Sequence, residues 1–252
     1  MPNHVTNIMT VNGPAEAVAE LKAAWFRAGI PDQKSSPELP DMVVDFNALL
    51  PQPEGMDIEH GSMSSSAEDW LTMKDDWLLS DEAFGKIWLA SRLKQHFETL
   101  VDWQTDTVGR LKERVLSTPG SLEKIGLDRP YLEQIQRNIA VYGCPTWYEW
   151  CNRHWGTKWN AYHQHLNEWS DTSFSVTFDT AWSPPEPLFE ILADAFPSVE
   201  MMVRYIDEGG GFAGTFTASD GLLEDLPCED SDFKAFAAEH FGWTFDDDDD
   251  DE

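Results

Sequence analysis

The stretch that decides the fold is Ser173–Glu208, SFSVTFDTAWSPPEPLFEILADAFPSVEMMVRYIDE. Its opening alternates: Phe174, Val176, Phe178 and Trp182 fall on one side, Ser175, Thr177 and Asp179 on the other. A period of two predicts a half-buried strand. SPPEPLFEILADAFP then predicts a helix, with Ser183 and Glu186 as a capping box, Pro184 in the first turn and Pro197 as the stop. VEMMVRYIDE returns to strand periodicity, with Val199, Met201, Val203 and Tyr205 on one face. Asp207–Gly211 predicts a turn, and GFAGTFT pairs back as a hairpin with Phe212 and Phe216 inward.

Working outward, VTNIMTV (Val5–Val11) predicts a strand that places Asn7 on the same face as Val5, Met9 and Val11. A helix follows from Pro14 to Arg27 on the stripe Val18, Leu21 and Trp25. After a Pro/Ser-rich loop, Met42–Phe46 predicts a short second strand. From Gly55 the pattern turns helical: Ser66 with Asp69 resembles a cap, Ser80 precedes a helix bearing Leu89, Leu93, Phe97 and Leu100, and Leu132, Ile135 and Ile139 mark another that ends at Gly143. A last amphipathic helix spans roughly 232–241. Without the helical middle, the order is strand, helix, strand, strand, helix, strand, plus an edge strand. The fold class is therefore α+β, a ferredoxin-like split βαβ sheet with an extra edge strand and a long helical insertion between the second and third core strands. In this reading the first and third strands run parallel at the centre, with the fourth antiparallel beside the first. The segments are 1–54 and 143–218 as the two halves of the ferredoxin-like domain, 55–142 as the insertion, 219–245 as a C-terminal helical segment and 246–252 as a disordered acidic tail.

The charge is −29, from 17 basic and 46 acidic residues, and the seven acids of Asp246–Glu252 account for only part of it, leaving −22 elsewhere. Such a field repels nucleic acid, anionic lipid and nucleotide-like polyanions, and favours basic protein partners. Plain solubility and halotolerance are the alternatives. Three cysteines at no disulfide-like spacing, no signal-peptide pattern and no membrane-length apolar run predict a cytoplasmic protein with no membrane partner.

MPNHVTNIMTVNG, VDFNALLPQPEG, YGCPTWYEWCNRHWGTKWNAY, FDTAWSPPEPLFEILADAFP and YIDEGGGFAGTF together resemble the YubB-type ferredoxin-like family of conjugative plasmids, prophages and phages, formerly a domain of unknown function. The resemblance implies a ferredoxin-like fold and a mobile-element origin. It implies no enzyme activity and no cofactor.

Between Gly143 and Tyr162 lie four of the twelve tryptophans. If Pro145 starts a helix, Trp147, Trp150, Cys151, His154 and Trp155 form one stripe and Gly156 stops it, so this half predicts a core wall. GTKWNAY is not periodic. Lys158 beside Trp159 suits cation–π packing or an anion site. The alternative is a structural turn in which Asn160 bonds backbone. A ligand pocket between the sheet and this segment would use Tyr148, Lys158, Trp159, Asn160 and Trp182, with His4, Asn7 and Asp207 at the adjoining strand ends. Cys151 and His154 are spaced as a thiolate–imidazole pair but lack an acid partner. His163-x-His165 with Glu168 would hold zinc only if Glu168 folds back, and no metal site is assigned. The open sheet face (Thr6, Ile8, Ser175, Thr177, Met202, Arg204) lacks the aromatics of an RNA reader, so no direct nucleic-acid binding is expected.

No reaction follows from these residues. The sequence points to a non-enzymatic accessory protein of a mobile genetic element that binds a basic host protein, with acidic nucleic-acid mimicry or blunting of host defence as special cases. The competing reading is a small-molecule or anion-binding protein, or an enzyme.

Overall fold

The structure, a computed structural model, describes residues 3–32 and 37–245. The expected tail at 246–252 lies outside them. In chain order the elements are β1 (His4–Asn12), α1 (Ala15–Trp25), β2 (Phe26–Ala28), β3 (Met42–Val44), α2 (Phe46–Leu49), α3 (Ser62–Thr72), α4 (Glu82–Gly85), α5 (Ala90–Phe97), α6 (Val108–Ser117), α7 (Ser121–Lys124), α8 (Arg129–Tyr142) and α9 (Trp147–His154). Then follow β4 (Tyr162–Trp169), β5 (Ser173–Ala181), α10 (Glu186–Ala195), β6 (Glu200–Asp207), β7 (Ala213–Ser219), β8 (Leu222–Pro227) and α11 (Phe233–Phe241). The chain forms two compact units, residues 1–51 with 151–252, and residues 52–150.

The first unit holds a six-stranded sheet in the order β4-β5-β1-β6-β7-β8. Each neighbouring pair is antiparallel. With β4 as the second core strand this is the ferredoxin-like arrangement, and β7 and β8 extend its edge. The class is the one the sequence predicts, but three details of the strand assignment differ. β1 and β5 run antiparallel rather than parallel, with His4 opposite Ala181 and Thr6 opposite Asp179. Met42–Val44 leaves the main sheet and pairs with Phe26–Ala28, so the helical segment falls before the second core strand. The predicted single edge strand is a hairpin of two.

The cause of the second difference is local. The helix from Ala15 ends at Trp25, and the following β-region residues Phe26–Ala28 take Met42–Val44 as partner. The Gln164 side chain ties this small sheet to β4. Its Oε1 accepts from Val44 N at 2.7 Å and its Nε2 donates to Val44 O at 2.9 Å, so a side-chain amide replaces a strand.

The inner face of the sheet follows the alternation read from the sequence. Val5, Met9 and Val11 of β1, Phe174, Val176 and Phe178 of β5 and Val203 of β6 are buried. Trp25 of α1 packs against Phe178, Phe46 and Phe189, with ring centroids 6.3, 5.4 and 6.3 Å away. Gly156 adopts φ +76°, and a Cβ there would lie 2.5 Å from Pro187 Cδ, so only glycine lets the chain turn beside α10. The capping box is not formed: Ser183 Oγ bonds Gly156 O, and no side chain caps α10. Phe212 is 38% exposed, whereas Phe216 is buried.

On the outer face, α11 covers one side. Ile206, Ala213 and Ala237 form a small cluster there with Phe233 and Phe236. The corner where β1 and β5 meet β4 stays open.

The second unit has its own core, including Trp70, Phe84, Leu89, Leu93, Phe97, Leu111 and Ile135. The predicted caps differ here as well. Ser66 lies inside α3 and bonds Ser62 O, while Asp69 accepts from Leu89 N. The helix predicted after Ser80 is two, α4 and α5.

Replacing Phe178 by Ala leaves a void beneath Trp25 and Phe46 and should cost about 3–5 kcal/mol of stability. Urea unfolding followed by tryptophan fluorescence measures it.

Candidate binding site at the open corner of the sheet

The corner is built from both ends of the first unit. Backbone pairing sets His4 at the start of β1 across from Ala181, the last residue of β5. Thr157 reaches the same spot: its Oγ1 accepts from Ala181 N at 3.1 Å and donates to Ala181 O at 2.9 Å. The segment Thr157–Tyr162 is thereby fastened to the sheet end. Asn160 completes the fastening. Its Oδ1 accepts from Phe46 N and Ala161 N, each at 2.9 Å, and its Nδ2 donates to Asp45 Oδ1 at 2.7 Å.

β4 then begins with a bulge. Tyr162 pairs with Asp179 and His165 with Thr177, so three steps on β4 match two on β5. The extra residue is His163, at φ +48°. The bulge brings Tyr162, His163 and His165 to the open face while Gln164 stays buried.

Three non-glycine residues among those described have positive φ: His163, Trp182 and Asp220. Asp220 precedes Gly221 in the β7–β8 hairpin, where such a turn wants that conformation. His163 and Trp182 sit at the corner with no such turn to explain them, and backbone strain of this kind concentrates at functional sites. Trp182 N donates to Asn3 O at 3.0 Å, and its indole is half-exposed.

The polar contacts fall into two sets, one around His4 and one around Asp179. His4 Nδ1 shares a 2.7 Å hydrogen bond with Tyr162 Oη. Thr6 Oγ1 donates to Asp179 Oδ1 at 2.8 Å, and His163 Nδ1 lies 3.0 Å from Asp179 Oδ2. Glu208 Oε1 accepts from His4 N at 2.8 Å and lies 4.0 Å from His4 Nε2. Burial, with Asp179 and Glu208 nearby, pushes the Tyr162 phenol up to about 12, so it remains a neutral hydroxyl at neutral pH. His4, Trp159, Asn160, Tyr162 and His163 line a shallow cavity of about 440 Å³, and His163, His165, Thr177 and Asp179 line a second of about 450 Å³.

The remaining sequence candidates do not line these two cavities. Lys158 Nζ lies 4.5 Å from the Trp159 ring centroid, a cation–π contact. Asn7 is fully enclosed. Its Nδ2 donates to Val5 O and Thr180 Oγ1, so its amide serves the core. Asp207 is 3% exposed and accepts from Gly211 N at 3.1 Å, holding the glycine turn. Tyr148 belongs to the other unit, where its ring stacks on His60 at 4.2 Å. Glu168 bonds Ser173 Oγ, away from His163 and His165. Burial pushes the Cys151 thiol up to about 12, the reverse of what a nucleophile needs.

Residues 155–247 match a family model described as a ferredoxin-like domain in Api92-like protein. That span carries β4 to β8 with α10 and α11; β1, from the other end of the chain, completes the sheet. The crystal structure of a protein api92 from Yersinia pseudotuberculosis is similar at 14% identity and a TM-score of 0.41, over 91% of this chain and 99% of that one. No curated protein matches the chain. No described helix is long and apolar enough to cross a membrane.

Asn160 and Lys158 should behave oppositely in stability. Asn160→Ala strands the buried donors of Phe46 and Ala161 and should cost about 1–3 kcal/mol. Lys158→Ala should stay within about 0.5 kcal/mol of the parent. Guanidinium unfolding of the two variants provides the comparison.

Proposed function

We propose that this protein acts by binding rather than by catalysis, as an accessory protein of a mobile genetic element that engages a basic host protein through the open corner of its sheet. One observation carries the reading. The corner presents Trp159, 38% exposed, and Trp182, 50% exposed, beside Tyr162 and the carboxylates of Asp179 and Glu208, on a chain of net charge −29. Exposed aromatics supply binding energy at interfaces, while an acidic surround steers a basic partner and sets its salt dependence. The mobile-element origin rests on the family resemblance. Mimicry of nucleic acid is the special case in which the partner's own nucleic-acid surface is what the carboxylates occupy.

A second reading has its own support in the His4–Trp159–Tyr162 cavity, which suits a small aromatic or anionic ligand. Thermal-shift screening separates the two. A stabilising metabolite whose effect is lost in Trp159→Ala would favour the pocket over a protein partner.

The protein-partner reading is tested by capture from bacterial lysate at low and high salt. The bound protein should be basic, elute steeply with salt, and bind at least about tenfold more weakly to the Trp159→Ala/Trp182→Ala double variant. Equal capture by parent and double variant would contradict the assignment of the corner.

A further inference from the structure

We propose that the open corner is also a divalent transition-metal site, with His4, His163 and Asp179 as protein ligands to zinc. One ligand atom from each lies within 4.8 Å of the other two. The two imidazoles face each other with centroids 5.7 Å apart and planes inclined by 44°. A tetrahedral zinc ion with bonds of about 2.0–2.1 Å needs its ligand atoms about 3.4 Å apart. His163 Nδ1 and Asp179 Oδ2 are already 3.0 Å apart, so only His4 has to close by side-chain rotation.

The outer partners are those that orient metal ligands elsewhere. His4 Nδ1 is engaged by Tyr162 Oη at 2.7 Å, which leaves Nε2 for the metal. Thr6 Oγ1 holds Asp179 Oδ1 at 2.8 Å, which aims Oδ2 at His163. The third ligand, His163, lies within the bulge at φ +48°. Alternation sets His163 on the same face as His165, and the register shift adds Tyr162 to that face. Two imidazoles and one carboxylate select zinc-type ions over calcium or magnesium. Three protein ligands also leave a fourth position open toward the cavity lined by Trp159 and Tyr162. The site lies in one unit and does not depend on a protein partner.

The full chain, stripped with chelator, should be titrated with Zn²⁺ by calorimetry. Saturable binding of one equivalent is expected, with a rise in melting temperature. His4→Ala and His163→Asn should each weaken binding more than about tenfold; Asn is chosen because it tolerates positive φ. Tyr162→Phe should weaken it about 10–100-fold, the range for a lost outer partner. The control His96→Ala, in the other unit, should bind like the parent. Asp179→Asn keeps the side-chain shape, so it serves if either histidine variant fails to fold by circular dichroism. No saturable binding by the parent, or parent-like affinity in folded His4→Ala or Asp179→Asn protein, would overturn the site.

Discussion

The pairing of β1 with β5 is the constraint on which the rest of this unit depends. It joins the first described residues of the chain to a strand some 170 positions later, with His4 opposite Ala181 and Thr6 opposite Asp179. Because side chains alternate faces, that register alone decides that Val5, Asn7 and Met9 point into the core while His4 and Thr6 point out. A slip by one residue would bury His4 and expose Met9. The second pairing, β1 with β6, fixes the same strand from its other side and brings Glu208 to His4.

On this frame, the corner is assembled by side chains that replace regular structure. Thr157 stands in for a strand partner at Ala181, Asn160 caps the entry to α2, and Gln164 bridges to β3. Each satisfies buried backbone groups that would otherwise be costly. The result is a hydrogen-bonded platform beneath exposed rings.

Much of the fold was legible because it is written in periodicity. Phe174, Val176 and Phe178 announce a half-buried strand, and the Pro-led helix at Glu186 follows its signals even though the predicted cap is absent. Strand direction is not carried by periodicity, which is how an antiparallel pair read as parallel. β4 was hidden for a different reason. YHQHLNEW is mostly polar, and its bulge breaks the alternation that would have marked it. β8 is short, acidic, exposed and ends in Pro227, all of which argue against a strand in isolation. At the corner, His4 and Trp159 could be placed because they sit at the ends of recognisable elements. The grouping of His4, His163 and Asp179 could not, since it needs the registers of both β1 and β4 on β5. Asn7 and Asp207 attracted attention as polar groups beside apolar runs; their partners are a threonine and backbone groups in one case and a glycine turn in the other.

The N-terminal strand and the segment from Thr157 to Ala181 meet to form one corner. The most direct test is two-dimensional NMR of the full-length protein with selectively labelled histidine and tyrosine. His4 should show nuclear Overhauser contacts to the ring protons of Tyr162, whose centroid is 5.5 Å away, and of His163, at 5.7 Å. A folded protein in which the His4 ring shows neither contact would contradict the register, and with it the corner.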